Sequence, residues 1–270
     1  MPIIHISNSP LIPSTSPVEI HYREWGTGIP LVFLHGGWGY QIYHFQRQVE
    51  VFGDRFRIVA PDRSGYGGSA RIDDLPSRFH QAAAEETFAV LEALGIERPI
   101  IWGHSDGSVI AAIMGLMHPE RISGVILEAF HYDRKKPGSK EFFENMVVRP
   151  ELFGDRVCAT LAQDHGDEYW RTIIAADGRA WLKIIEESAD PEADLYQGRL
   201  GELSVPTLFI HGGRDPRTEP DELDSVRRLL PECRMSIIEG GGHSPHSSSN
   251  SFTESNRAAN EFLASLSLCR

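Results

Sequence analysis

The chain has few cysteines and lacks a long apolar segment. Only three of its 270 residues are cysteines, Cys158, Cys233 and Cys269. Their odd number and dispersed spacing exclude a disulfide framework and a zinc site, so we expect free thiols. No apolar run approaches a membrane span, and the N-terminus, Met1–His5, lacks the basic start and apolar core of a signal peptide. We therefore expect a cytoplasmic protein without a membrane-inserted segment.

Basic residues are also scarce. The chain has 26 Lys and Arg against 38 Asp and Glu, which gives a formal net charge of −12. Such a surplus repels nucleic-acid phosphates and anionic membrane surfaces, so we predict neither as a partner. A hydrophobic content of 41% in a chain of this length is enough to bury one sizeable core.

The sequence Gly-His-Ser-Asp-Gly at 103–107 contains a candidate nucleophile. It follows the apolar run Pro99–Trp102 and precedes a helix-compatible stretch that begins at Ser108. A serine on such a strand-to-helix turn is exposed as a nucleophile, and its backbone is strained. Small flanking residues are required, because a Cβ at either glycine would collide with the crossing backbone. The pattern therefore predicts Ser105 as the nucleophile.

A candidate acid and a candidate base follow two later strand-like runs. The run 206–211 is followed by a predicted turn at Gly212–Asp215, and the run 234–239 is followed by three glycines and His243. A nucleophilic serine needs a base to accept its proton and a carboxylate to orient that base. We predict Asp215 as the orienting acid and His243 as the general base.

The loop His35–Gly39 follows another apolar run, 29–34. Backbone N–H groups in such a loop can stabilise the oxyanion of a tetrahedral intermediate by roughly 3–4 kcal/mol each. We predict the amides of Gly37 and Asp106 as these donors, with His35 holding the loop in place.

These motifs resemble those of the α/β-hydrolase superfamily. Within it, the chain is similar to small serine esterases related to biphenyl-hydrolase-like proteins and valacyclovir hydrolases. The resemblance implies an α/β-hydrolase fold and a serine-centred catalytic triad, and this chemistry requires no metal and no organic cofactor. The segments that carry the resemblance are 35–37, 62–69, 103–108, 127–131 and 242–246.

The order of apolar runs predicts a doubly wound, mostly parallel sheet with helices, interrupted by an insertion. We expect an α/β-hydrolase core formed by residues 1–130 and 201–270, and a helical cap formed by residues 131–200. The predicted strands within the first part are 18–25 and 30–34 as an opening hairpin, 56–60, 99–103 and 122–129, and the predicted helices are 79–95 and 105–117.

The residue type at the nucleophile position distinguishes between the possible reactions. Epoxide hydrolases and haloalkane dehalogenases have an aspartate there, whereas this chain has Ser105, so chemistry through an alkyl-enzyme is disfavoured. We expect hydrolysis of a small carboxylic ester through an acyl-enzyme. The alternatives are a cofactor-free C–C bond hydrolase, a perhydrolase of the haloperoxidase type, and a small-ligand receptor with slow turnover.

Several residues are candidates for substrate binding or support. Trp38 and Phe130 are possible apolar pocket walls. The Asp106 carboxylate either interacts with its helix N-terminus or, as the resemblance to valacyclovir hydrolases implies, pairs with a substrate ammonium group. His131 and His246 are candidates for groups that support the catalytic residues, but we expect both to be structural histidines.

Overall fold

A single eight-stranded sheet forms the centre of the protein in the computed structural model, which describes residues 1–13, 17–136, 138–187 and 194–266. Its strand order is β1-β2-β4-β3-β5-β6-β7-β8. The pairs β1–β2 and β2–β4 are antiparallel and all others are parallel. The strands are β1 (Ile3–Ile6), β2 (Val18–Trp25), β3 (Ile29–Leu34), β4 (Phe56–Pro61), β5 (Ile100–His104), β6 (Gly124–Glu128), β7 (Thr207–Gly212) and β8 (Arg234–Ile238).

Helices cover both faces of this sheet, which makes it the predicted doubly wound α/β fold. The first core layer includes residues of α2 and α3, and the second includes residues of α1 and α8. The central strands β5 and β6 are buried along their whole length, as expected for parallel strands covered on both faces. The helices are α1 (Gln46–Phe52), α2 (Phe79–Ala93), α3 (Asp106–Met117), α4 (Ser139–Val148), α5 (Asp155–His165), α6 (Trp170–Glu186), α7 (Pro220–Leu229) and α8 (Phe252–Ser265).

The predicted opening hairpin is wrong. Both of its strands form, but β4 lies between them, antiparallel to β2 and parallel to β3. The two short elements β1 and α1 were not among the predicted elements.

The chain between β6 and β7 contains α4, α5 and α6. Apolar side chains of α4 and α6 face each other: the rings of Phe143 and Trp181 are stacked with centroids 5.0 Å apart. This packing accounts for the amphipathic pattern around Phe142 and Trp181 in the sequence. That residues 131–200 act as a cap remains a prediction.

Parallel strands place their carboxyl ends at one edge of the sheet, which is where ligands of such folds bind. The loops after β3, β5, β6, β7 and β8 therefore meet at this edge. Among the described helices, none is both long and apolar enough to cross a bilayer. Of the cysteines, Cys158 and Cys233 are free thiols, and Cys269 lies outside the described residues.

Candidate active site

Ser105 occupies the sharp turn between β5 and α3. Its backbone has φ 54° and ψ −122°, a left-handed conformation that is costly for a serine. A Cβ on Gly103 would lie 2.0 Å from the carbonyl oxygen of Gly107, and one on Gly107 would lie 2.1 Å from that of Leu34. The predicted need for glycine on both sides of the serine is thus confirmed.

The structure brings the three predicted triad residues into one line of hydrogen bonds. The Ser105 hydroxyl lies 3.1 Å from Nε2 of His243, and His243 Nδ1 lies 3.0 Å from each carboxylate oxygen of Asp215. Burial alone would raise the pKa of Asp215, but the adjacent His243 outweighs it and holds that pKa well below its usual value. The charged carboxylate accepts a hydrogen bond from the N–H at His243 Nδ1, which leaves Nε2 free to accept the serine proton.

A second histidine also contacts the serine. Nε2 of His131 lies 3.3 Å from Ser105 Oγ, and Nδ1 of His131 lies 2.8 Å from the Lys136 ammonium group. An ammonium group can only donate, so Nδ1 must be the acceptor and the neutral ring carries its proton on Nε2. Burial and the positive charge of Lys136 hold the pKa of His131 well below its usual value. His131 therefore donates to Ser105 Oγ, whereas His243 accepts from it.

The expectation that His131 is purely structural is wrong, because its side chain reaches the nucleophile. Its position is set by a buried ion pair, in which Lys136 Nζ lies 2.8 Å from Glu222 Oε2. The same expectation for His246 agrees with its contacts. His246 is fully buried, with Nδ1 2.8 Å from Glu128 Oε1 and Nε2 2.9 Å from the carbonyl oxygen of Tyr43.

The loop after β3 lies against the nucleophile turn. A Cβ on Gly36 would lie 3.1 Å from Cβ of Ser105, so the two segments are in close contact. His35 is buried, with Nδ1 2.7 Å from the Gly36 carbonyl oxygen and Nε2 accepting from the amide of Arg63 at 3.2 Å. These bonds give His35 the loop-holding place predicted for it. Asp106 begins α3, so its amide has no partner within the helix.

The side chain of Asp106 belongs to a buried polar cluster. Its Oδ1 lies 3.2 Å from His80 Nε2 and 3.2 Å from Trp181 Nε1. Burial raises the pKa of Asp106, but the hydrogen bond from His80 outweighs this effect and the pKa lies below its usual value. The neighbouring carboxyl of Asp177 behaves oppositely: burial, and then the charge of Asp106, raise its pKa well above its usual value. Of the two neighbouring carboxyl groups, Asp177 therefore holds its proton more tightly than Asp106.

A cavity of about 190 Å³ opens above the serine. Trp38 lines it, as predicted, and stacks on Phe142 with ring centroids 5.9 Å apart. Phe130 does not line it, and this prediction is corrected. Its ring is buried between Tyr196 and Phe209, at centroid distances of 5.2 and 5.0 Å.

The sequence did not identify five polar residues of the cavity wall, which are Tyr43, His104, His131, Asp177 and Arg217. Arg217 had a usable signal, since it lies two residues after Asp215 in the same turn. In the part of the chain that the structure describes, no group of three or more His, Cys, Asp or Glu side chains is arranged to hold a metal ion.

A mostly parallel sheet with a strained serine at the carboxyl end of a central strand is the architecture of the α/β hydrolases. The chain belongs to the alpha/beta hydrolase family, whose sequence profile matches residues 31–253.

Similar proteins share the fold but differ in their named activities. The chain is 24% identical over 260 residues to a non-heme haloperoxidase of Rhodococcus erythropolis, covering 87% of this chain and 92% of that protein. It is 24% identical over 259 residues to the human serine hydrolase BPHL, covering 91% of this chain and 83% of that protein. A solved epoxide hydrolase of Bacillus megaterium superposes with a TM-score of 0.76 at 19% identity, covering 97% of this chain and 100% of that one.

Proposed function

We propose that the protein is a serine hydrolase that cleaves small carboxylic esters through an acyl-enzyme on Ser105. The continuous line of hydrogen bonds from Ser105 through His243 to Asp215 carries this proposal. A serine alone is a poor nucleophile at neutral pH. An acceptor nitrogen on one side and a carboxylate that fixes the histidine tautomer on the other make it an effective one.

In the proposed mechanism, His243 Nε2 removes the proton of Ser105 as Oγ attacks the ester carbonyl carbon. The amides of Gly37 and Asp106 donate to the oxygen that becomes negative in the tetrahedral intermediate. The protonated His243 then gives its proton to the departing alcohol, leaving the acyl group on Oγ. Water repeats the cycle with His243 as base, and the free acid leaves.

His131 has a supporting role in this scheme. Its Nε2–H donates to Ser105 Oγ, so it orients a lone pair of the hydroxyl oxygen while the hydroxyl proton points to His243. During deacylation Oγ is the leaving atom, and a donor at this position stabilises the charge that it gains.

A perhydrolase is the second candidate, because a haloperoxidase is among the similar proteins. It would use the same acyl-enzyme, with hydrogen peroxide in place of the water, and would release a peracid. Epoxide opening through an alkyl-enzyme has no support in this site, since Ser105 stands at the nucleophile position.

Asp106 is not proposed to bind a substrate ammonium group. The carboxylate oxygen Oδ1 already accepts from two buried donors, His80 and Trp181. We propose that this carboxylate is structural and stabilises the start of α3 next to the nucleophile.

The test is steady-state hydrolysis of p-nitrophenyl acetate, butyrate, octanoate and an aminoacyl ester. Wild type, Ser105→Ala and the control Ser204→Ala are compared; Ser204 is exposed and lies in the segment that precedes β7. Multiple turnover that survives in Ser204→Ala and is lost in Ser105→Ala is expected. Turnover that persists in Ser105→Ala would refute the esterase mechanism. Peracid formation from acetate and hydrogen peroxide, or cleavage of a vinylogous diketone, would instead favour the perhydrolase or the C–C hydrolase. Stoichiometric binding without turnover would favour a receptor.

A further inference from the structure

Arg217 is held beside the nucleophile by its own backbone. Its amide donates to Asp215 Oδ1 at 2.8 Å, and its carbonyl oxygen accepts from Lys136 Nζ at 3.0 Å. The side chain lines the same cavity as Ser105. Its guanidinium carbon lies 3.6 Å from the ring centroid of Phe142 and 5.0 Å from that of Phe143. Main-chain bonds and two rings therefore fix the direction of this cation.

The guanidinium group itself has aromatic neighbours but no anionic partner. Among the residues that the structure describes, it forms no ion pair and no hydrogen bond, although the residue is largely buried. The other buried arginines are satisfied: Arg23 pairs with Asp62 at 2.6 Å, and Arg63 donates to the His35 carbonyl oxygen at 2.8 Å. A guanidinium group carries five N–H donors, and no described residue accepts from those of Arg217, so they are available to a ligand.

Three carboxyl groups lie near Arg217, those of Asp106, Asp177 and Asp215, and none of them forms an ion pair with it. Asp215 accepts from His243 and from the Arg217 amide, and Asp106 accepts from His80 and Trp181. The other cation of this region, Lys136, is paired with Glu222. Arg217 is thus the charged group of the cavity wall whose side-chain donors remain unused, and its planar fork matches a carboxylate in two parallel hydrogen bonds.

We infer that Arg217 anchors a carboxylate of the substrate, so that the preferred ester carries a negative charge close to the bond that is cleaved. This inference rests on the proposed function, because it names the substrate class of the same site. The small cavity and the position of Arg217 beside Ser105 favour short compounds, such as a monoester of a short dicarboxylic acid.

Direct binding to the Ser105→Ala variant tests the anchor without relying on turnover. The probes are monomethyl glutarate, with the carboxylate in the acyl part, and O-acetylglycolate, with the carboxylate in the alcohol part. Their neutral controls are dimethyl glutarate and methyl O-acetylglycolate. Calorimetric titration is expected to show at least one carboxylate binding on the order of tenfold more tightly than its neutral control, as for a charge-assisted hydrogen-bonded pair.

The double variant Ser105→Ala/Arg217→Gln is expected to lose this difference, and Ser105→Ala/Arg217→Lys to retain part of it through the charge alone. Ser105→Ala/Arg214→Gln is the matched control, because Arg214 is an exposed arginine of the same turn. Thermal unfolding of each variant verifies that it folds. A preference that survives Arg217→Gln, or that is lost equally in Arg214→Gln, would overturn the inference, as would failure of both carboxylates to bind. Ser105-dependent hydrolysis of p-nitrophenyl acetate by the wild type tests the proposed function separately.

Discussion

Replacing His131 with phenylalanine removes a hydrogen-bond donor from the nucleophile while keeping a flat ring in the cavity wall. Lys136 keeps two other acceptors, Glu222 and the Arg217 carbonyl oxygen, so the variant leaves no buried cation unpaired. A net hydrogen bond between neutral groups contributes about 1 kcal/mol, or roughly fivefold in rate. A donor aimed at a fully developed oxyanion contributes about 2.7–4 kcal/mol.

The expected effect lies between these two values. The His131 contact is long, at 3.3 Å, and His243 removes the serine proton as charge develops on Oγ. We therefore expect His131→Phe to lower kcat about tenfold, which is about 1.4 kcal/mol, with KM little changed. Hydrolysis of p-nitrophenyl acetate measures both constants.

Two further variants separate a donor role from packing. His131→Gln can place an amide N–H near the former Nε2 and is expected to recover much of the lost kcat. His5→Phe makes the same exchange at an exposed position on β1 and is expected to behave as wild type. A kcat for His131→Phe within twofold of wild type would refute the reasoning, as would a His131→Gln variant no better than His131→Phe.

Three other predictions follow from the buried polar groups around the site. Gly37→Ala would place a methyl carbon 2.4 Å from Asp177 Oδ2 and 2.7 Å from Asp106 Oδ2. We therefore expect kcat/KM for ester hydrolysis to fall by about 100-fold or more. The control Gly201→Ala, whose methyl carbon would lie 3.6 Å from its nearest neighbour, should leave kcat/KM almost unchanged in the same assay. The folded-state pKa of Asp177 is raised, so its contribution to stability is lost as pH rises above the usual aspartate pKa. In urea unfolding, Asp177→Asn should therefore have a larger unfolding free energy than wild type at pH 8. This difference should shrink towards pH 4. The pKa of His165 is lowered to about 4, chiefly by burial. The stabilisation that follows from this shift, about 3 kcal/mol, is present above the usual histidine pKa and is lost as pH falls from about 6.5 to 4. His165→Gln should flatten the dependence of the unfolding free energy on pH in that window, and an unchanged slope would contradict this prediction.

The sequence was most informative where a local backbone requirement determines the residue type. Gly103 and Gly107 are necessary because a Cβ on either residue would collide with a carbonyl oxygen, and such a requirement leaves a recognisable pattern around Ser105. The same logic predicted which strand ends carry Asp215 and His243, because carboxyl ends of parallel strands share one edge. Their catalytic roles remain proposals that the substitution experiments test.

The missed features depend on contacts between distant parts of the chain. The insertion of β4 between β2 and β3 is a choice of strand partner, which local alternation does not encode. His131 and Phe130 are neighbours in sequence, yet one side chain reaches the serine and the other packs in the core. That division follows from the contacts of His131 with Lys136 and of Phe130 with Tyr196 and Phe209, which no local pattern encodes.

The Lys136–Glu222 ion pair limits how the protein can be re-engineered. Glu222, on α7, also accepts from the amides of Tyr132 and Asp133, at 2.9 and 3.0 Å, so a single carboxylate holds the start of the segment that follows β6. Grafting a foreign segment in place of residues 131–200 would remove Lys136 and leave this buried carboxylate without its cation. A designer who exchanges that segment must therefore redesign the first turn of α7 with it, and chimeras that take the two parts from different parents should fold poorly.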